Sequence, residues 1–285
     1  MDKSFSQCLI CSSSKLTDLP DYQKDHLSKC QGCGFVFSKR IPTEQELVEE
    51  YYKYERGFEL SPITIKRYNE LLDGFETYRQ QNNILDVGAG DGHFIEVARK
   101  RGWNTYATEF DDKAVDVMKA KGINVVKGGL DIANYEAGMF DVIFWAEVIE
   151  HINNPIEELK KFNYLLRKNG IVYVTTPNFN ALSHKYLGSK WTIFNYPEHL
   201  CYYTPKTIKS LFKNNGFKDI AIQTTGFGPD RFYASLGKSN NNISTEKVRQ
   251  KTETKLFWKG IKYMSNKLFN LLGIGDALKG TFVKI

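Results

Sequence analysis

The stretch Ile84-Leu85-Asp86-Val87-Gly88-Ala89-Gly90-Asp91-Gly92-His93-Phe94 constrains this chain more than any other. Ile84 to Val87 read as a buried strand. Gly88, Gly90 and Gly92 let the backbone turn tightly and let a ligand approach where a Cβ would collide. Asp91 is expected to cap the helix that follows. The product is a nucleotide-type cradle at the mouth of a sheet. A dinucleotide loop would read Gly-x-Gly-x-x-Gly. Here the pattern is Gly-x-Gly-x-Gly, with Asp86 two residues before the first glycine, so no pyrophosphate is implied. Glu109 follows 23 residues after Asp86, at the end of a second apolar run. A doubly wound fold places there the acid that accepts hydrogen bonds from ribose hydroxyls.

Strand and helix patterns alternate through the middle of the chain. Strands are expected at 82–87, 104–109, 123–127, 140–145 and 171–176, with helices at 91–101, 111–120 and 155–168. Asn154, Pro155 and Glu157 mark the start of the last helix and Gly170 its end. Thr204, Pro205 and Gly216 bracket another at 205–214, before a strand at 218–225. The alternation predicts an α/β fold with a parallel sheet and helices on both faces. Residues 81–285 form this main domain. Residues 238–245 read as a polar loop, and about 238–274 as a helical insertion before a last strand, 277–285.

Residues 1–40 read as a separate zinc-ribbon-like unit. Cys8-Leu-Ile-Cys11 and Cys30-Gln-Gly-Cys33 give two knuckles of two thiolates each, the donor set of tetrahedral zinc. So short a segment buries little core, so metal binding would supply its folding energy. Cys201, far away in the chain, is expected to contribute nothing. Residues 41–80 form a helical linker, opened by a Thr43–Glu46 capping box.

Three further stretches carry a family resemblance. They are Phe140-Asp141-Val142-Ile143-Phe144-Trp145-Ala146-Glu147-Val148-Ile149-Glu150-His151, Gly170-Ile171-Val172-Tyr173-Val174-Thr175-Thr176-Pro177-Asn178, and Tyr196-Pro197-Glu198-His199-Leu200-Cys201-Tyr202-Tyr203-Thr204-Pro205. With the glycine loop they resemble the small-molecule and sugar branch of the class I S-adenosylmethionine (SAM) methyltransferases, over roughly residues 64–230 and the C-terminal strand. The resemblance implies a Rossmann-like seven-stranded sheet whose last strand runs antiparallel beside strand five. It implies SAM as cofactor, with the 41–80 helices as its lid. Asp86, Gly88, Gly90 and Glu147 would line the methionine side, Glu109 would bind the ribose, Phe110 the adenine face, and Leu130 and Asp131 its edge.

SAM is already a strong methyl donor, so the chemistry asks for alignment and proton removal rather than a protein nucleophile. Tyr196, Glu198 and His199 form a Tyr-x-Glu-His motif similar to that of sugar-nucleotide C-methyltransferases, which also carry an N-terminal zinc unit. His199 is the candidate base, oriented by Glu198. The Glu147-x-x-Glu150-His151 pattern instead resembles the 3-demethylubiquinol O-methyltransferases, where the two acids and the histidine hold a divalent metal; Mg²⁺ would suit such donors. His93 is expected to pack beside the cofactor.

The favoured expectation is methyl transfer to a hydroxyl of a small-molecule or glycan acceptor in surface-polysaccharide or sugar-nucleotide modification. The alternatives are a quinol or catechol O-methyltransferase and an RNA methyltransferase. Nucleic acid is disfavoured: residues 1–40 hold six basic residues against four acids, and strand four ends Phe-Trp-Ala-Glu. With no apolar run of membrane-spanning length and no signal core near Met1, the expected location is cytoplasmic. Residues 247–272 carry an apolar stripe, Phe257, Ile261, Met264, Leu268 and Leu272, and seven basic residues against one acid between 247 and 267. Packing on the sheet is the preferred reading of that stripe. Peripheral contact at the inner membrane face is the other.

Overall fold

The computed structural model describes residues 3–51, 60–237 and 256–285. Its N-terminal unit consists of β1 (Leu16–Asp18), β2 (Leu27–Cys30) and β3 (Val36–Ser38), joined antiparallel. Helix α1 (Glu44–Tyr51) follows, opened by the expected capping box. Thr43 N–H donates to Glu46 Oε2 at 2.8 Å and Glu46 N–H to Thr43 Oγ1 at 3.2 Å. Helix α2 (Pro62–Phe75) starts at Ser61, whose hydroxyl accepts from Thr64 N–H.

The main domain is built from β4 (Asn83–Val87), α3 (His93–Lys100), β5 (Asn104–Glu109), α4 (Asp112–Ala120), β6 (Asn124–Lys127), β7 (Phe140–Ala146), α5 (Pro155–Leu165) and β8 (Leu166–Pro177). Then come α6 (Leu182–Leu187), β9 (Cys201–Tyr202), α7 (Pro205–Lys213), β10 (Phe217–Thr225), α8 (Pro229–Ser235), α9 (Leu256–Leu272) and β11 (Ala277–Lys284). The large sheet has the order β10-β11-β8-β7-β4-β5-β6. Strands β4 to β8 are parallel, and β11 runs antiparallel between β8 and β10, as the resemblance implied. The chain leaves β6 at one edge and re-enters at β7 beside β4. Ligands of open α/β sheets bind at this reversal, beyond the carboxyl ends of the strands. Central strands need apolar residues on both faces. Leu85, Ile143 and Val172 bury against α5 and α7, while Ile84, Val142 and Ile171 bury against α2 and α3.

Several expected boundaries move. Helix α3 begins at His93, with Gly92 in the left-handed conformation as its N-cap and no side-chain cap. Asp91 therefore does not cap it; its carboxylate lies 3.8 Å from His93 Nε2. A Cβ on Gly92 would meet Met118 Cγ at 2.5 Å, so the turn needs glycine for space as well as for conformation. Helix α5 ends at Leu165, and β8 starts at once, with Gly170 inside the strand rather than at a helix end. A Cβ at Gly170 would come within 3.0 Å of the Arg167 carbonyl. In the helical linker expected over 41–80, α2 stops at Phe75 and continues as a single 3-10 turn, 76–78.

Two larger differences bear on function. Residues 1–40 are not a separate body. Strand β9, from the loop after β8, pairs antiparallel with β3 (Val36 with Tyr202, Phe37 with Cys201), giving a four-stranded sheet β1-β2-β3-β9. The cysteine unit and the Tyr196–Thr204 segment thus share one core. Cys201, remote in sequence, lies in that shared strand, and its thiol donates to the Ile152 carbonyl at 3.2 Å.

The second difference is the basic helix. Residues 238–255 lie outside the described residues, which leaves α9 as the described part of the insertion. The preferred reading had its apolar stripe on the sheet. Instead, polar groups of α9 meet β10: Asn270 Oδ1 accepts from Thr224 N–H, the Phe269 carbonyl from Thr224 Oγ1, and Asn266 Oδ1 from Gly226 N–H. Ile261, Met264, Leu268 and Leu272 are exposed. No described helix is long and apolar enough to cross a membrane.

Candidate active site

The cofactor cradle sits at the carboxyl ends of β4 and β5. The backbone N–H groups of Gly88 and Ala89 both donate to the Thr108 carbonyl at 3.0 Å. Gly88, Gly90 and Gly92 all hold positive φ, and a Cβ on Gly88 would meet Val148 Cγ2 at 2.8 Å. Glu109 ties the loop to β5. Its Oε2 accepts from Gly90 N–H at 2.7 Å and its Oε1 from Phe110 and Asp111 N–H at 2.8 and 3.1 Å. Three N–H donors present this buried carboxylate in one orientation. Asp86 is buried beside it. Burial and the neighbouring Glu109 carboxylate push the Asp86 pKa well above the usual carboxylate range.

Phe110 is half exposed, its ring 3.5 Å from where a Cβ on Gly129 would sit. Leu130 is buried in the core, and Asp131 Oδ1 accepts from Ala133 N–H at 2.9 Å. Helix α2 sets Tyr68 edge-on to Phe94, the first apolar residue after the glycine loop. The donor set and the glycine turn fit the ribose and methionine ends of SAM.

A second group of candidate residues gathers at the carboxyl ends of β7 and β8. Glu147 adopts a left-handed conformation, φ 54°, an uncommon backbone for a residue with a side chain. Its Oε1 accepts from Thr175 Oγ1 at 2.6 Å, and its N–H donates to the Thr175 carbonyl at 2.9 Å. This bent turn swings Glu150 and His151 inward on a single 3-10 turn.

His199 joins them from the loop before β9. Glu150, His151 and His199 each offer a ligand atom, all within 4.8 Å of one another. Glu147, grouped by sequence with the first two, bonds Thr175 instead; His199 takes its place. Glu150 Oε2 is buried with no hydrogen-bond partner. Burial and nearby Glu147 drive the Glu150 pKa well upward. Burial lowers the pKa of His151; burial and then His151 lower that of His199, to about 4. Both histidines are held toward their neutral form, and the three side chains converge closely enough to share one acceptor hydroxyl or one divalent cation, which would bind Glu150 as its carboxylate.

The motif residues divide their roles differently from expectation. His199 Nδ1 bonds the Ile193 carbonyl at 2.7 Å, so that carbonyl orients the ring. The Glu198 carboxylate accepts from Asn195 Nδ2, while its backbone carbonyl accepts from His151 Nδ1 at 2.7 Å. Tyr196 turns toward the N-terminal unit. Its hydroxyl accepts from Arg40 Nη1 at 3.0 Å, and its ring meets His26 edge-on. Arg40 and Ile193 lie outside the quoted motifs, and Thr175, within one, stands 28 residues from the Glu147 it holds.

In the N-terminal unit, Cys8, Cys11, Cys30 and Cys33 form the second cluster of possible metal ligands. Cys8 Sγ lies 3.6 Å from Cys33 Sγ, and Cys11 Sγ lies 3.5 Å from Cys30 Sγ. Four sulfurs around zinc at about 2.3 Å stand about 3.8 Å apart, so the cluster fits a zinc ribbon.

The family model described as a methyltransferase domain matches residues 64–222. A ubiquinone biosynthesis O-methyltransferase of Nitrosomonas europaea is 21% identical over 187 residues, 60% of this chain and 77% of that protein. One of Caulobacter vibrioides is 32% identical over 122 residues, 39% of this chain and 47% of that protein. The chain thus spans about three quarters of the first relative and about half of the second. Among solved structures, a SAM-dependent methyltransferase of Archaeoglobus fulgidus aligns with TM-score 0.54 and 20% identity, over 85% of this chain and all of that one. A plantazolicin methyltransferase, solved with an acceptor analogue and the demethylated cofactor, aligns with TM-score 0.51 and 17% identity, over 78% of this chain and 86% of that one. At these identities the structural likeness is one of fold.

Proposed function

The chain belongs to the methyltransferase-domain family of class I SAM-dependent enzymes, and from that premise we propose that it methylates a hydroxyl of a small quinol- or catechol-type acceptor. The observation that carries this reading is the convergence of Glu150, His151 and His199 into one recess. A vicinal oxygen pair matches such a donor set. The relatives named as ubiquinone biosynthesis O-methyltransferases favour it over the polysaccharide or sugar-nucleotide reading that the sequence motifs first suggested. They also favour it over RNA.

Bound SAM supplies an electrophilic methyl group. The residues of this chain hold it and remove the proton. Glu109 reads the ribose; Gly88 and Gly90 admit the methionine end. Phe110 covers the adenine face, and Leu130 and Asp131 line its edge. The Ile193 carbonyl keeps the proton on His199 Nδ1, which leaves the Nε2 lone pair to accept the acceptor's hydroxyl proton. The Glu198 carbonyl does the same for His151. A divalent cation such as Mg²⁺, held by Glu150, His151 and His199, would occupy those Nε2 lone pairs in place of the proton, polarise the acceptor oxygen and let its proton leave to solvent. Cys8, Cys11, Cys30 and Cys33 hold a structural zinc ion that stabilises the N-terminal sheet.

The test is a radiolabelled methyl-transfer assay with a simple catechol beside a sugar nucleotide. Label on the catechol oxygen, abolished in His199→Ala, supports the reading. Label on the sugar nucleotide alone overturns it.

A further inference from the structure

We propose that the exposed face of α9, with the neighbouring tips of α6 and α8, docks the enzyme on an anionic lipid surface. Ile261, Met264, Leu268, Leu271 and Leu272 are exposed, Met264 by 63% and Leu271 by 81%. At 100° per residue they fall within about a third of the helix circumference. The opposite side is engaged with β10 through Asn266, Phe269 and Asn270. The stripe is therefore held outward by a polar attachment that fixes the helix's rotation. Exposed apolar stripes of this kind mark interaction surfaces rather than cores.

Charge selects the occupant. Lys267 falls about 40° from Leu271 around the helix, at the border of the stripe, and residues 256–272 hold no acid. On α6, exposed Leu182 and Tyr186 lie beside Lys185 on the same helical face. Tyr186 packs on Phe232 of α8, which packs in turn on half-exposed Phe227. An apolar stripe bordered by lysine suits a layer with anionic headgroups over an acyl interior. A water-soluble protein partner with an acidic surface would meet the lysines but leave the leucines wet.

The attachment also places this face next to the acceptor recess. Asn178, at the carboxyl end of β8, donates to the carbonyls of Gly273 and Gly275 just after α9. Asp276 accepts from Ser183 Oγ of α6 and from the N–H of Gly228 before α8. Ends of the three helices thus meet beyond the carboxyl end of β8, the strand that carries Thr175. Docking would present the recess to an acceptor dissolved in the layer. The docking surface itself does not rest on the quinol reading.

The test is co-sedimentation of the full chain with vesicles of phosphatidylcholine, with and without phosphatidylglycerol. We expect binding to the anionic vesicles, weakened about tenfold or more by Leu268→Asp with Leu271→Asp and weakened in part by Lys185→Glu with Lys267→Glu. Affinity for the demethylated cofactor should stay unchanged in all of them, which also shows that each variant is folded. No binding to anionic vesicles, or binding that both variants retain, overturns the proposal. So does light scattering that shows a wild-type dimer separated by the leucine variant, since a second copy would then cover the face.

Discussion

His151 and His199 face each other with ring centroids 4.9 Å apart, each held at Nδ1 by a backbone carbonyl of residues 193–198. A candidate base and a candidate metal ligand, read separately in the sequence, are one unit in the structure. Neither is independent of the other, because protonating one raises the cost of protonating its neighbour.

Replacing His199 with Ala should lower kcat by about 10²–10⁴-fold, the usual contribution of a positioned base, and leave SAM affinity unchanged. Steady-state kinetics and calorimetry check this. His151→Ala should cost a comparable factor. If the recess holds a cation, a chelator too weak to strip a four-cysteine site should inactivate the wild type, and added Mg²⁺ should restore it. Full activity in His199→Ala would remove that residue from the chemistry.

The low pKa of His199, about 4, has a definite sign. The folded state resists a proton that the unfolded chain takes near pH 6.5. Between those values the unfolded state binds more protons, so this group's stabilising effect is complete above pH 6.5 and fades as pH falls toward 4. Glu150, with its raised pKa, acts in the opposite sense, since its effect fades as pH rises above the ordinary carboxylate value. The wild type should therefore lose more melting temperature from pH 6.5 to 4.5 than His199→Gln does. Parallel melting curves for the two proteins would refute the assignment.

Glu109→Ala should weaken binding of SAM and of its demethylated product by about 1–3 kcal/mol, the cost of leaving polar partners unpaired. The loss has two sources, the ribose hydroxyls and the Gly90 N–H that Glu109 now satisfies. Calorimetry with wild-type affinity would remove Glu109 from the site.

Metal analysis should find one zinc per chain, lost in Cys30→Ser and retained in Cys201→Ser. Because β3 pairs with β9, loss of the zinc should reduce methyl transfer while the SAM cradle, built on β4 and β5, keeps its affinity. Tyr196→Phe should act more mildly, by about 1 kcal/mol of stability, since it deletes one hydroxyl bonded to Arg40. An activity unaffected by zinc removal would separate the two parts of the molecule.

The sheet was legible in the sequence because its strands are continuous apolar runs punctuated by glycine and capping residues. The limits of β5 came out where periodicity placed them, and β11 runs antiparallel as the family resemblance implied. Helix ends at Gly92 and Leu165 did not, because conformation and packing there override the capping pattern. The acceptor recess was only half legible. Glu150 and His151 are neighbours in the chain, but His199 reaches them through a loop whose path is set by the Ile193 carbonyl and by pairing with β3. The stripe on α9 was visible as a stripe. Its direction was not, because three polar contacts from Asn266, Phe269 and Asn270 decide which side meets β10.

The pairing of β3 with β9 has a consequence for how the chain matures. Strand β3 is made early on the ribosome, yet its edge partner is translated only after more than half the chain has followed. During that interval the nascent N-terminal unit presents an unsatisfied strand edge, the kind of surface that invites pairing with a neighbouring chain. Arrival of β9 closes the edge and completes the acceptor loop in the same event.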